Sequence, residues 1–77
     1  MNWVDIKTQL PPKEYHSPCV QMDDTTSVLV FGYDEYNFFP RYEVMYNNYL
    51  AMAKQDESGR YIIDNLIITH WKYIERP

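Results

Sequence analysis

Apolar positions along this chain come in short blocks, most of them with a spacing of two, separated by stretches rich in proline, glycine and polar residues. Trp3-Val4-Asp5-Ile6 alternates apolar and polar, the pattern of a short strand with one wet face. Leu10-Pro11-Pro12 ends it, because proline has no N–H to give to a ladder. Lys13 to Thr26 reads as a loop, with Pro18 and the polar run Gln21-Met22-Asp23-Asp24-Thr25-Thr26. Connections in small domains usually run to about 4–6 residues, so a loop this long is expected to be functional or poorly ordered. Ser27-Val28-Leu29-Val30-Phe31-Gly32-Tyr33 is the clearest strand: β-branched and aromatic, apolar on both faces, and bounded by turn-formers. A loop from Asp34 to Pro40 follows and carries Tyr36, Phe38 and Phe39.

Arg41 to Gln55 has two readings. As a helix, Tyr42, Met45, Tyr46, Tyr49, Leu50 and Ala53 form one stripe, with Pro40 at its start and Gly59 past its end. As a hairpin, Tyr42, Val44 and Tyr46 share a face and Asn47-Asn48 makes the turn, since asparagine tolerates positive φ. Asp56-Glu57-Ser58-Gly59 is a turn into Arg60-Tyr61-Ile62-Ile63, and Asp64-Asn65 turns again into a second clear strand, Leu66 to Ile74. Strict alternation there places Ile67, Thr69, Trp71 and Tyr73 on one face and Leu66, Ile68, His70 and Lys72 on the other. The predicted fold is mainly β: a single domain over residues 1–77, an antiparallel meander or partly open barrel. The alternative is α+β, with one helix at about 41–55.

Composition changes this picture in three respects. With 45% hydrophobic and 17% aromatic residues the chain has material for a core and is unlike a disordered segment. Its net charge is −4, and the seven cations stand singly, at Lys7, Lys13, Arg41, Lys54, Arg60, Lys72 and Arg76. Direct nucleic-acid binding needs clustered cations, so it is not expected. The lone Cys19 suits a reducing compartment, Met1 to Asp5 lack the blocks of a signal peptide, and no apolar run approaches the ~20 residues of a membrane span. The expected setting is cytoplasm, with no membrane association.

The order of the motifs is also familiar. Trp3-Val4-Asp5-Ile6, Leu10-Pro11, Val28-Leu29-Val30 and Thr69-His70-Trp71 resemble those of a family of small phage and prophage proteins classed as a domain of unknown function. Members open with Trp-Ile/Val and Leu-Pro and close with Thr-His-Trp-Met-Pro-Leu-Pro. This chain departs by running Lys72-Tyr73-Ile74-Glu75-Arg76-Pro77 after the tryptophan and by its longer loop from Pro12 to Thr26. The resemblance implies a phage protein at work in a host cytoplasm, favours strands in the ambiguous middle, and implies no activity.

Candidate chemistry is sparse. His16-Ser17-Pro18-Cys19 has the spacing of two metal ligands, but a structural zinc site needs four, so neither metal nor cofactor is expected. Cys19 has no accompanying motif for a nucleophile, and His70 reads as a hydrogen-bonded residue beside a core tryptophan rather than a general base. Asp23-Asp24 and Asp34-Glu35 flank a strand, which separates them by roughly 25–30 Å, too far for one acid–base pair. The expectation is a non-enzymatic protein. Its candidate binding site is the segment carrying Tyr33, Asp34, Glu35, Tyr36, Phe38, Phe39 and Arg41, because rings and arginine are enriched at interfaces. Phe38 and Phe39 capping the core is the competing reading, and one ring in with one ring out would satisfy both. The partner expected is a host or phage protein, such as a host defence factor, with a nucleotide-signal binder as the alternative and homo-oligomerisation left open. Trp3 and Trp71 are expected in the core.

Overall fold

The computed structural model describes residues 2–13 and 26–74. The chain is mainly β, as the patterning predicts, and the described residues form five antiparallel strands in one open sheet and a single short helix. The strands are β1 (Val4–Asp5), β2 (Ser27–Asp34), β3 (Pro40–Tyr46), β4 (Tyr61–Ile63) and β5 (Leu66–Tyr73), with α1 (Asn47–Ala51) between β3 and β4. Two hairpins, β2–β3 and β4–β5, are joined through a long β2–β5 pairing. β1 and β4 share the other edge of β5: β4 takes its first half and β1 sits against Trp71 and His70. β3 ends the sheet.

The ambiguous middle resolves into a strand followed by one helical turn, so neither the helix over 41–55 nor the hairpin turning at Asn47-Asn48 forms. Tyr42, Val44 and Tyr46 do share a face, as the hairpin reading has it. The β-branched and aromatic residues stay extended, while Tyr49, Leu50 and Ala51 coil and bury Leu50 completely. Asn47 marks the switch. Its backbone N–H donates to the Thr26 carbonyl (2.7 Å) and its buried side chain donates to the Pro12 carbonyl (2.7 Å). The strand end, the helix start and the N-terminal segment are tied together at that residue.

One face of the sheet is covered. Val28 and Val30 of β2, with Leu66, Ile68 and Trp71 of β5 and Ile63 of β4, pack against Leu50 of α1 and Ile6. Trp71 is 2% exposed and donates its indole N–H to the Gln9 carbonyl at 2.8 Å, which fits the expectation of a core tryptophan.

The strict alternation expected for β5 fails at one residue. Phe31 pairs with His70 and Gly32 with Ile68, so Thr69 is an extra residue, a β-bulge. The bulge returns Leu66 and Ile68 to the covered face that Trp71 also faces. Two features fix it: Thr69 donates its hydroxyl to the Phe31 carbonyl (3.2 Å), and Ile6 N–H donates to the Thr69 carbonyl (3.0 Å). The close approach of β5 requires glycine at position 32, since a Cβ there would collide with the Ile67 carbonyl oxygen. At the β4–β5 turn, Asp64 and Asn65 both take positive φ (51° and 64°), the geometry of a two-residue hairpin turn.

Candidate functional site

The β2–β3 loop is built by Asp34. Its carboxylate accepts the backbone N–H groups of Tyr36 (2.8 Å) and Asn37 (3.1 Å), its own N–H donates to the Phe39 carbonyl, and its carbonyl accepts from Phe38. Those two amides, followed by the Arg41 guanidinium, hold the Asp34 carboxyl below its ordinary pKa. Phe38 is left at φ 61°, in the left-handed region. Arg41 crosses from the loop to the neighbouring turn, bonded to the Asp34 carboxylate (3.3 Å), the Asp64 carbonyl (3.2 Å) and Glu43 (3.3 Å). Glu35 N–H and the Tyr36 hydroxyl both bond Asn65, so the two turns form one connected end of the molecule.

The seven candidate residues therefore gather at one end but divide in role. Asp34 and Arg41 are held by the loop they organise, and the Glu35 backbone is anchored to Asn65. Tyr33 is half-buried, with its ring 5.9 Å from that of Phe38. Tyr36, Phe38 and Phe39 are 74%, 62% and 70% exposed. The reading in which Phe38 or Phe39 folds inward to cap the core does not hold, because the hydrogen-bonded loop turns both rings to solvent.

Sequence reasoning missed a larger surface. The sheet face opposite the core has no covering element among the described residues, and aromatic side chains line it. Trp3, expected in the core, lies there at 37% exposure. The reason is register: Val4, not Trp3, pairs with Trp71, so alternation sends Trp3 to the face of Asp5 and His70. Trp3 meets Phe31 edge-on at 6.3 Å and Tyr42 at 6.0 Å, and Phe31 lies 4.9 Å from Tyr42. Lys72 sits 4.8 Å from the centre of the Trp3 ring, within cation–π range. Val44 and Tyr46 extend this face along β3. The available signal was the apolar character of both faces of Ser27–Tyr33 beside the alternating Tyr42, Val44 and Tyr46.

His70 bonds Thr69 through Nδ1 (2.9 Å), and lies in a shallow concavity with Trp3, Phe31 and Tyr42. A second hollow, between β1 and β4, brings Lys7 and Arg60 near Tyr33 and His70, but Asp5 also lines it and Asp56 pairs with Arg60 at 3.0 Å. Among the described residues no three His, Cys, Asp or Glu side chains are placed to hold a metal, and no helix is long and apolar enough to cross a membrane. His16, Cys19, Asp23 and Asp24 lie outside the described residues. Comparison with protein-family models, with curated proteins and with solved structures finds no match to this chain.

Proposed function

We propose that this chain is a non-enzymatic phage accessory protein that acts by docking onto a host or phage protein in the host cytoplasm, with a host defence factor as its target. The observation that carries the reading is the loop from Asp34 to Arg41. Its backbone is fixed by a carboxylate and an arginine, and three rings project from it into solvent. Rings held out on a rigid frame lose little conformational entropy on binding and desolvate well, as interface hot spots do. The phage setting rests on the order of the Trp-Val, Leu-Pro and Thr-His-Trp motifs.

Affinity purification from infected cells tests it. The wild-type chain should retain one protein partner. The double variant Tyr36→Ala, Phe39→Ala should bind that partner more weakly by more than about 2 kcal/mol while melting at nearly the parent temperature. A folded variant that binds as tightly as the parent would remove the loop from the interface.

A nucleotide-signal binder is the second reading, favoured by the ring-lined concavity at Trp3, Phe31 and Tyr42, whose π faces could stack a base. The acidic partners beside Lys7 and Arg60 weigh against phosphate capture in the adjoining hollow. Heat denaturation of freshly purified protein should release a nucleotide if this reading is right and none if the first is.

A further inference from the structure

The outer edge of β3 carries a further inference, independent of the loop. Ladder parity identifies the groups that no described strand pairs. Asp34 N–H donates to the Phe39 carbonyl at one end of the β2–β3 pairing, and Asn47 N–H donates to the Thr26 carbonyl at the other. Hydrogen-bonded pairs alternate along an antiparallel ladder, so Arg41, Glu43 and Met45 turn their N–H and C=O groups toward β2. Tyr42, Val44 and Tyr46 turn theirs outward. Natural edge strands are usually guarded by lysine, proline, a bulge or an inward-facing charge. Here Pro40 stands only at the start, and the two inward-facing charges, Arg41 and Glu43 on the covered side, neutralise each other at 3.3 Å rather than leave an unpaired charge at the edge. The side chains beside the open groups are Tyr42, Val44 and Tyr46, 62%, 63% and 57% exposed, all strong strand formers.

We infer that this edge pairs antiparallel with the same edge of a second copy, about a two-fold axis at Val44, making one continuous sheet through two chains. The register follows from the residues. Centring on Glu43 would set Glu43 directly against its symmetry mate, a like-charge pair. Centring on Tyr42 would bring Pro40, which has no N–H, into the ladder opposite Val44. Centring on Val44 avoids both. Val44 then exchanges two bonds with the partner's Val44, and each Tyr46 N–H reaches the other copy's Tyr42 carbonyl. On one face Tyr42 stacks against the partner's Tyr46, an aromatic cross-strand pair; on the other, Glu43 faces Met45. The Tyr46 carbonyl begins α1 as its N-cap, and its second lone pair accepts the reciprocal bond from the partner's Tyr42 N–H.

The area lies at the lower end of what specific interfaces bury. A tyrosine ring buries roughly 150–250 Å², so the exposed halves of Tyr42, Tyr46 and Tyr49 with Val44 contribute about 400–500 Å² per copy. That approaches the ~1,000 Å² total of a specific interface. Tyr49, 49% exposed, belongs in that sum because it lines the same hollow as Val44 and Tyr46.

Sedimentation equilibrium over a hundredfold dilution series, with amide hydrogen exchange on the same samples, tests the pairing. The wild type should be a dimer at the concentrated end, with the Val44 amide protected. Val44→Lys and Val44→Pro should both be monomers with parental melting profiles, since the side chain is exposed and the N–H points away from β2. Met52→Lys, exposed and outside the ladder, should remain a dimer. A wild type that is monomeric throughout overturns the inference, and a Val44 amide still protected in that monomer means that another segment of the chain covers the edge. A Val44→Lys variant that dimerises normally also overturns it, by locating the interface on another face.

Discussion

Phe38 sits at φ 61°, where a bulky residue costs about 1–2 kcal/mol relative to a relaxed backbone. The ring makes up little of that cost, since it is 62% exposed and its nearest aromatic neighbour is Tyr33. Glycine would fit the turn better. Phe38→Gly should therefore raise the melting temperature or leave it unchanged, and it should weaken partner binding if the ring is kept for recognition. A clear drop in melting temperature would show that the ring holds the loop in place. Asp34 supplies the pH dependence of the same loop. Its carboxyl is held below the ordinary value, so its contribution is complete above the unfolded carboxylate pKa of about 4 and is lost as pH falls through the lowered native value. In an acid titration followed by NMR, the Tyr36 and Asn37 amide resonances should move together, below pH about 4. Movement of these amides in the pH 5–7 range would assign the loop to a different titrating group.

At the scale of elements, β5 decides the architecture, and its bulge is the feature that alternation could not reveal. A period of two is legible from side-chain types, but an inserted residue changes the phase of the strand without changing its composition. Thr69 gives no sign in sequence that it stands outside the ladder. Gly32 is the partner signal: a lone glycine inside an apolar strand often marks a bulge or a close backbone approach. Gly32→Ala should destabilise by about 3 kcal/mol, the upper end for overpacking, because the obstacle is the Ile67 backbone rather than a flexible side chain. Thermal melting checks this, and a variant melting within a few degrees of the parent would mean that the bulge can shift. β2, β4, the Asp64-Asn65 turn and the span of β5 were legible because each concentrates strand formers between turn residues. The segment after Pro40 was not. Its tyrosines and methionine satisfy helical and strand spacing equally, and pairing with β2 made the choice. The exposed loop rings were legible from their polar neighbours, whereas the aromatic sheet face depended on knowing which face had a cover.

The described sheet has one side packed by the core and one that carries exposed aromatic rings across β2 and β3, and its two tryptophans report on the two sides separately. Trp71 is 2% exposed, bonded to the Gln9 carbonyl and packed edge-on against Tyr73 at 5.2 Å. Trp3 is 37% exposed among Phe31, Tyr42 and Lys72. Trp71→Ala should cost about 3–5 kcal/mol, a large fraction of the ~5–15 kcal/mol that stabilises a domain, while Trp3→Ala should cost much less. Fluorescence then separates the faces in solution. In Trp71→Phe, emission comes from Trp3 and should be quenched readily by acrylamide; in Trp3→Phe, emission comes from Trp71 and should resist quenching. If the open face takes part in docking, partner addition should shift Trp3 emission to the blue and protect it, leaving Trp71 unchanged. Pairing at the β3 edge leaves the centre of that face uncovered, so self-association alone should not protect Trp3. Partner binding that leaves Trp3 as quenchable as before would confine docking to the end of the molecule carrying Tyr36, Phe38 and Phe39.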